Sequence, residues 1–272
     1  MGSITLAVVP SLPGDRRGAL DAVCDALSRM LQAEVRGVLP ASYAELASWF
    51  EKDRVQYAWM SPALMVLTAE RIQLQPLLSA VRGDRTEYCS ALFVDGKRPA
   101  SSIAALRGKT IAWVDPTSAS GYLVPRIHLA ARGIDASTLF GQELFTGSHA
   151  AVVRAVLGGG ADVGATYALQ PEPGQPVARA GFCDVAPEHP VRVLEFTQTI
   201  PNDVICGHGL IARSEHRLFS NAVLTLAERD DGRQLLHAAF NADRFMTTPR
   251  NALKPLWGLV DLARKRGMLA QL

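Results

Sequence analysis

The feature that most restricts the fold of this chain is a repeat of apolar strand, polar turn and amphipathic helix along much of its length. Ile4 to Val9 is an apolar run suited to a strand, followed by a Pro/Gly-rich turn from Pro10 to Gly14 and by helical apolar spacing from Arg17 to Glu34. Val35 to Leu39 and Val55 to Trp59 read as further strands. A helix is predicted over Tyr43 to Asp53, capped by Ser42, and another over Ala63 to Arg71, introduced by Met60-Ser61-Pro62. A hydroxyl followed by proline marks a helix start, because the hydroxyl can accept from an orphan N–H and proline needs no N–H there. Leu74 to Val81 and Tyr88 to Val94 predict two more strands before the composition turns polar at Asp95 to Ser102.

A second series of units begins at Lys109. Strand Thr110 to Val114 leads through Asp115 to Gly121 into a helix over Tyr122 to Arg132. A strand over Gln142 to Phe145, a helix over Ala150 to Leu157, a Gly158-Gly159-Gly160 stop and a strand over Asp162 to Tyr167 follow. Val191 to Thr197 is another strand, His208 to Ala212 is expected to return the chain to the first lobe, and Glu215 to Leu272 reads as helical. The pattern predicts an α/β, two-lobed fold, each lobe a mostly parallel sheet flanked by helices, with the ligand cleft between lobes. The expected lobes are 1–94 with 205–272, and 95–204.

Charge and cysteine usage exclude several functions. The 28 basic and 26 acidic side chains are interspersed, for a formal charge of +2, so no polybasic stripe points to nucleic acid or anionic lipid. No apolar run is long enough to span a bilayer. Cys24, Cys89, Cys183 and Cys206 form no CxxC pair and read as free thiols; a metal site from Cys183, His189, Cys206 and His208 matches no usual zinc spacing. No leader precedes the strand at Ile4. The expected location is therefore outside the cytoplasm if a leader has been removed, and cytoplasmic if Met1 is the true start.

The chemistry concentrates in strand-to-helix turns. Asp115-Pro116-Thr117-Ser118-Ala119-Ser120-Gly121 gathers hydroxyls where the first helical N–H groups lack internal partners and carry partial positive charge, an arrangement suited to an anion. A serine there can equally serve only as the helix cap. Thr146-Gly147-Ser148-His149 repeats the arrangement with an imidazole that can donate to an oxyanion, and Ser61 does so in the first lobe. Ser118 or Ser120 with His149 and Asp203 also has the composition of a nucleophilic triad, but no G-x-S-x-G elbow, P-loop or H-E-x-x-H motif is present, so an enzyme is the lesser reading.

The run Asp115-Pro-Thr-Ser-Ala-Ser-Gly-Tyr-Leu-Val-Pro125, with Gly133-Ile-Asp135, Phe145-Thr-Gly-Ser-His149, Gly159-Gly-Ala-Asp-Val163 and Val55-Gln-Tyr-Ala-Trp-Met-Ser-Pro62, resembles the phosphate/phosphite/phosphonate-binding family of ABC transporter substrate-binding proteins. That resemblance implies a periplasmic-binding-protein-like fold of type II and capture of a small oxyanion by lobe closure. It implies no cofactor, no metal, an ABC permease as partner, and a monomer without direct membrane insertion. The implied ligand-binding residues are Thr117, Ser118, Ala119, Ser120 and His149, with Ser61, Tyr43, Tyr88 and Asp203, the last accepting from a protonated ligand oxygen. Two departures bear on the ligand: Ala119 stands where the family carries a middle hydroxyl, and Leu169 stands where members that take aminoalkyl phosphonates place a glutamate. A cytosolic ligand sensor of the same fold is the alternative reading.

Overall fold

The computed structural model describes residues 3–8 and 16–265, so the turn expected at Pro10 to Gly14 lies outside the described residues. In chain order the elements are β1 (Ile4–Val8), α1 (Arg16–Leu31), β2 (Val35–Val38), α2 (Tyr43–Glu51), β3 (Tyr57–Met60), α3 (Pro62–Thr68), β4 (Leu74–Val81), β5 (Glu87–Asp95) and β6 (Thr110–Trp113). A π-helical turn, Ala119–Leu123, runs directly into α4 (Val124–Ala131). There follow α5 (Ala136–Leu139), β7 (Gln142–Phe145), α6 (His149–Leu157), β8 (Val163–Ala168), α7 (Gly181–Val185), β9 (Val191–Phe196), β10 (Ile200–Pro201), β11 (Val204–His208), α8 (Arg213–Glu228), α9 (Asp230–Phe240), β12 (Arg244–Thr247) and α10 (Lys254–Lys265).

The helix starts follow local chemistry. Ser42 accepts from the Glu45 N–H at 3.1 Å, while the Glu45 carboxylate accepts from the Ala41 N–H, a reciprocal cap at the start of α2. Ser61 accepts from the Leu64 N–H at 3.3 Å with Pro62 in the first turn of α3, and Ser148 accepts from the Ala151 N–H at 3.2 Å to start α6.

The chain divides into two compact units, 1–86 with 201–255 and 87–200 with 256–272. The boundary expected after residue 94 falls earlier, because β5 is hydrogen-bonded to β8 and β9 and so belongs to the second unit's sheet. Residues 256–265 also group with the second unit and not with the first.

In the first unit the sheet order is β12-β4-β11-β3-β1-β2. β1 pairs parallel with β2 and β3, and β11, β4 and β12 continue the sheet antiparallel. The returning strand is Val204–His208, not His208 to Ala212, since it is Val204, Ile205 and Cys206 that are buried against β3 and β4. β12 was not expected in a segment read as helical. Its single buried residue, Phe245, packs against Trp59 and Phe240 with ring centroids 5.8 Å apart in each case. The core beneath contains Leu6, Val8, Leu78, Ile205 and Val223, and Tyr57 stacks on Phe219 at 3.8 Å.

In the second unit β6 pairs parallel with β7 and β8, and β5 pairs antiparallel with β8 and β9. Its core joins Cys89, Ala91 and Phe93 of β5 to Ala112, Val114, Val152, Val156 and Phe182. Among the described residues no helix is long and apolar enough to cross a membrane.

Candidate functional site

Strand direction and register fix which turns share an edge. β6, β7 and β8 are parallel, with Trp113 opposite Phe145 and Ala112 opposite Gly164, while β5 runs the other way with Cys89 opposite Ala168. The turns after β6 and β7, the end of β8 at Leu169 and the start of β5 at Tyr88 therefore lie along one edge of the second unit's sheet. The carboxyl ends of parallel strands are where ligands bind in open α/β sheets. Ser118, Ser120, His149 and Tyr88, widely separated in sequence, are gathered there by topology.

The serine turn is tightly held. Asp115 Oδ1 accepts from both the N–H and the hydroxyl of Thr117, at 2.8 and 2.6 Å, so the Thr117 hydroxyl is already engaged. Ser118 is the cap: its Oγ accepts from the Gly121 N–H at 3.1 Å. The first backbone bonds of the helical run are of π type, Leu123 N–H to Ser118 O and Val124 N–H to Ala119 O, which leaves the amides of Ala119 and Ser120 ahead of the first bonded turn. Ser118, Ala119 and Ser120 are all buried. Among the described residues the Ser120 hydroxyl makes no hydrogen bond, whereas its carbonyl accepts from the buried Ser90 hydroxyl at 2.6 Å. Gly121 is required for packing, since a Cβ there would sit 2.3 Å from Val114 Cγ2.

The histidine turn is bonded to the serine turn. Thr146 N–H donates to Trp113 O at 2.9 Å and Gly147 N–H to Val114 O at 2.8 Å. Gly147 has φ +81°, a left-handed conformation that favours glycine, and so delivers Ser148 to its capping position. His149 is half-buried, with Nδ1 3.0 Å from the buried Thr166 hydroxyl and its ring edge-on to Tyr167 at 4.9 Å. Desolvation pushes its imidazole down to about 4, so the ring is neutral near pH 7. Among the described residues no carboxylate and no serine is hydrogen-bonded to it, so no catalytic triad is assembled.

Sequence reasoning missed Ser90, Thr166 and Thr197, which support these turns. Ser90 N–H donates to Thr197 Oγ1 at 3.0 Å, and the Ser90 side chain reaches the serine turn. Their signal is a hydroxyl inside an otherwise apolar strand, as in Cys89-Ser90-Ala91 and Ala165-Thr166.

The first unit holds the other expected residues. Ser61 is the cap of α3, and Tyr43 opens α2. Asp203 precedes β11, placed by Asn202, whose side-chain amide donates to Ala80 O and Arg85 O at 3.1 and 2.9 Å. The Asp203 carboxylate is not open as expected. Arg82 pairs with it at 2.6 Å and also donates to Asn241 O at 2.7 Å. Among the described residues no group of three or more His, Cys, Asp or Glu could hold a metal ion.

Comparison with known proteins meets this geometry. A family model described as ABC transporter, phosphonate, periplasmic substrate-binding protein matches residues 6–251. The chain belongs to this phosphonate-binding family. The fold is shared with solved members of the same architecture. A binding-protein component of an ABC phosphonate transporter from Pseudomonas aeruginosa superposes with TM-score 0.80 at 18% identity, covering 97% of this chain and 87% of that one. PhnD1 from Prochlorococcus marinus in complex with methylphosphonate gives TM-score 0.79 at 18% identity, covering 98% of each chain. A Xanthomonas citri protein bound to ATP gives TM-score 0.79 at 19% identity, covering 97% of this chain and 99% of that one. The chain is thus a substrate-binding protein of the phosphonate-binding family, with the two-lobed α/β fold of periplasmic binding proteins.

Proposed function

We propose that this substrate-binding protein captures a small phosphonate- or phosphite-like oxyanion at the sheet edge formed by the serine and histidine turns, and presents it to an ABC permease outside the cytoplasm. The observation that carries the reading is the joining of two serine-capped helix starts at one edge, with the Ser120 hydroxyl and the amides of Ala119 and Ser120 as donors. A neutral His149 adds to this set. If Thr166 donates to Nδ1, the ring proton sits on Nε2, where it can donate to an anion. The proposed ligand-binding residues are Ser118, Ser120, His149, Tyr88 and the backbone of Thr117 and Ala119, with Ser61, Tyr43 and Asp203 as candidates from the first unit. The half-buried, apolar Leu169 at the end of β8 favours a small or apolar substituent over an amine. A binder is favoured over an enzyme, because His149 is bonded to Thr166 and Asp203 is paired with Arg82, so neither is joined to Ser118 or Ser120 as a triad requires.

Calorimetric titration with phosphite, methylphosphonate, 2-aminoethylphosphonate, phosphate and sulfate tests the reading. Phosphite or methylphosphonate should bind, unchanged on recovery, and the amine-bearing ligand should not. Ser120→Ala should weaken binding by about 1–3 kcal/mol, the range for a hydrogen bond to a charged group. No binding across the panel, or unaltered affinity in the Ser118→Ala, Ser120→Ala double variant, would refute it.

A further inference from the structure

We propose that the first unit carries a second ligand site, for a small phosphorylated molecule with an apolar body, in a groove between α8, the start of β4 and the segment after β12. The groove has a volume of about 790 Å³, within the range of small-molecule sites. Arg213 and Arg217 reach it from successive turns of α8, and Arg250 from the segment after β12. All three are exposed, and among the described residues none has a carboxylate partner. No aspartate or glutamate lines the groove. The floor is apolar, from Leu77 and Leu224. Cations around an apolar floor suit an amphipathic anion better than a bare inorganic one.

His216 forms part of the groove's inner wall. It is 3% exposed, its ring buried beneath the groove surface. Its ring edge-packs on Tyr57 and lies over Gly207, where a Cβ would meet Cε1 at 2.4 Å. The groove begins near Pro76 and Leu77, four and three residues along β4 from Ala80, whose N–H donates to Asp203 O, so it lies roughly 10–13 Å from the end of the sheet that carries Ser61 and Asp203. It is a different place in the fold from the oxyanion turns, which belong to the second unit.

The test is calorimetry of the full chain with naphthyl phosphate as probe, in a Ser118→Ala, Ser120→Ala background that silences the proposed oxyanion site. One equivalent should bind, with inorganic phosphate weaker. Arg217→Gln with Arg250→Gln should lower probe affinity at least roughly tenfold, as expected for lost bonds to a charged group. The same double variant in the otherwise unaltered chain should titrate with methylphosphonate as before and keep its circular dichroism spectrum, which excludes misfolding as the cause. Equal probe affinity in the folded arginine variant, or no heat at millimolar probe, overturns the groove. Loss of probe binding in the serine background alone also overturns it while leaving oxyanion capture standing.

Discussion

Gly121→Ala is the sharpest test of how the serine turn is held. The added Cβ would lie 2.3 Å from Val114 Cγ2 and 2.8 Å from Ser118 Oγ, where carbon contacts are normally about 3.5–4.0 Å. Val114 is a buried core residue, and its N–H donates to Gly121 O at 3.2 Å, so the turn and the strand end must separate to admit the methyl. Overpacking of this kind costs about 1–3 kcal/mol. Val114→Ala alone removes two buried methyl groups and should cost about 2 kcal/mol, from roughly 0.8 for each plus a cavity contribution. The double variant loses the Cγ2 contact but keeps the Cβ of residue 114 at 2.5 Å from the new methyl, so the relief is partial and the pair should lose roughly 0.5–1 kcal/mol less than the sum of the single changes. Scanning calorimetry gives the stability differences, and titration with methylphosphonate gives the accompanying loss of affinity. A Gly121→Ala protein with unaltered melting and binding would show that the close approach of Gly121 to Val114 does not govern the turn.

Other consequences are direct. Ser90→Ala removes the bond to Ser120 O inside the core and should cost about 1–3 kcal/mol in a denaturant titration, with weaker oxyanion binding although Ser90 is not itself a proposed contact. Arg82→Ala leaves the Asp203 carboxylate unpaired and mostly buried, so it should be more destabilising than Asp203→Asn, which keeps an acceptor for the guanidinium; equal losses would argue against the pair. His149 has its pKa lowered to about 4 by burial, so between pH 4 and the usual value of 6.5 the unfolded chain binds more protons than the folded one. Stability should therefore fall as pH drops through that window, and His149→Gln should flatten this part of the profile in thermal melts.

Much of the architecture was legible in the sequence because its cues are local. Ser42, Ser61-Pro62 and Ser148 announce helix starts within a few residues, and the apolar runs of β4, β5 and β8 are plain. Elements that depend on distant partners were not legible. β12 exposes three of its four residues and becomes a strand only through pairing with β4, and its Arg244 lies opposite Val81. The same limit applies to the site. The serine and histidine turns could be named from composition, but Arg82's hold on Asp203 joins residues 121 apart, and no local pattern signals it. The π turn was likewise read as ordinary helix, since its extra residue per turn shows only in the bonds from Leu123 to Ser118 and from Val124 to Ala119.

The two backbone bonds that bind Thr146 and Gly147 to Trp113 and Val114 limit how this edge can vary. An insertion in either turn would shift the register of both bonds and displace the caps of two helices together. Side-chain identity, by contrast, is unconstrained by those bonds, because they use only main-chain atoms. New ligand preference on this scaffold is therefore reached by substitution at fixed turn length, at positions such as Ala119 and Leu169, and not by lengthening a loop.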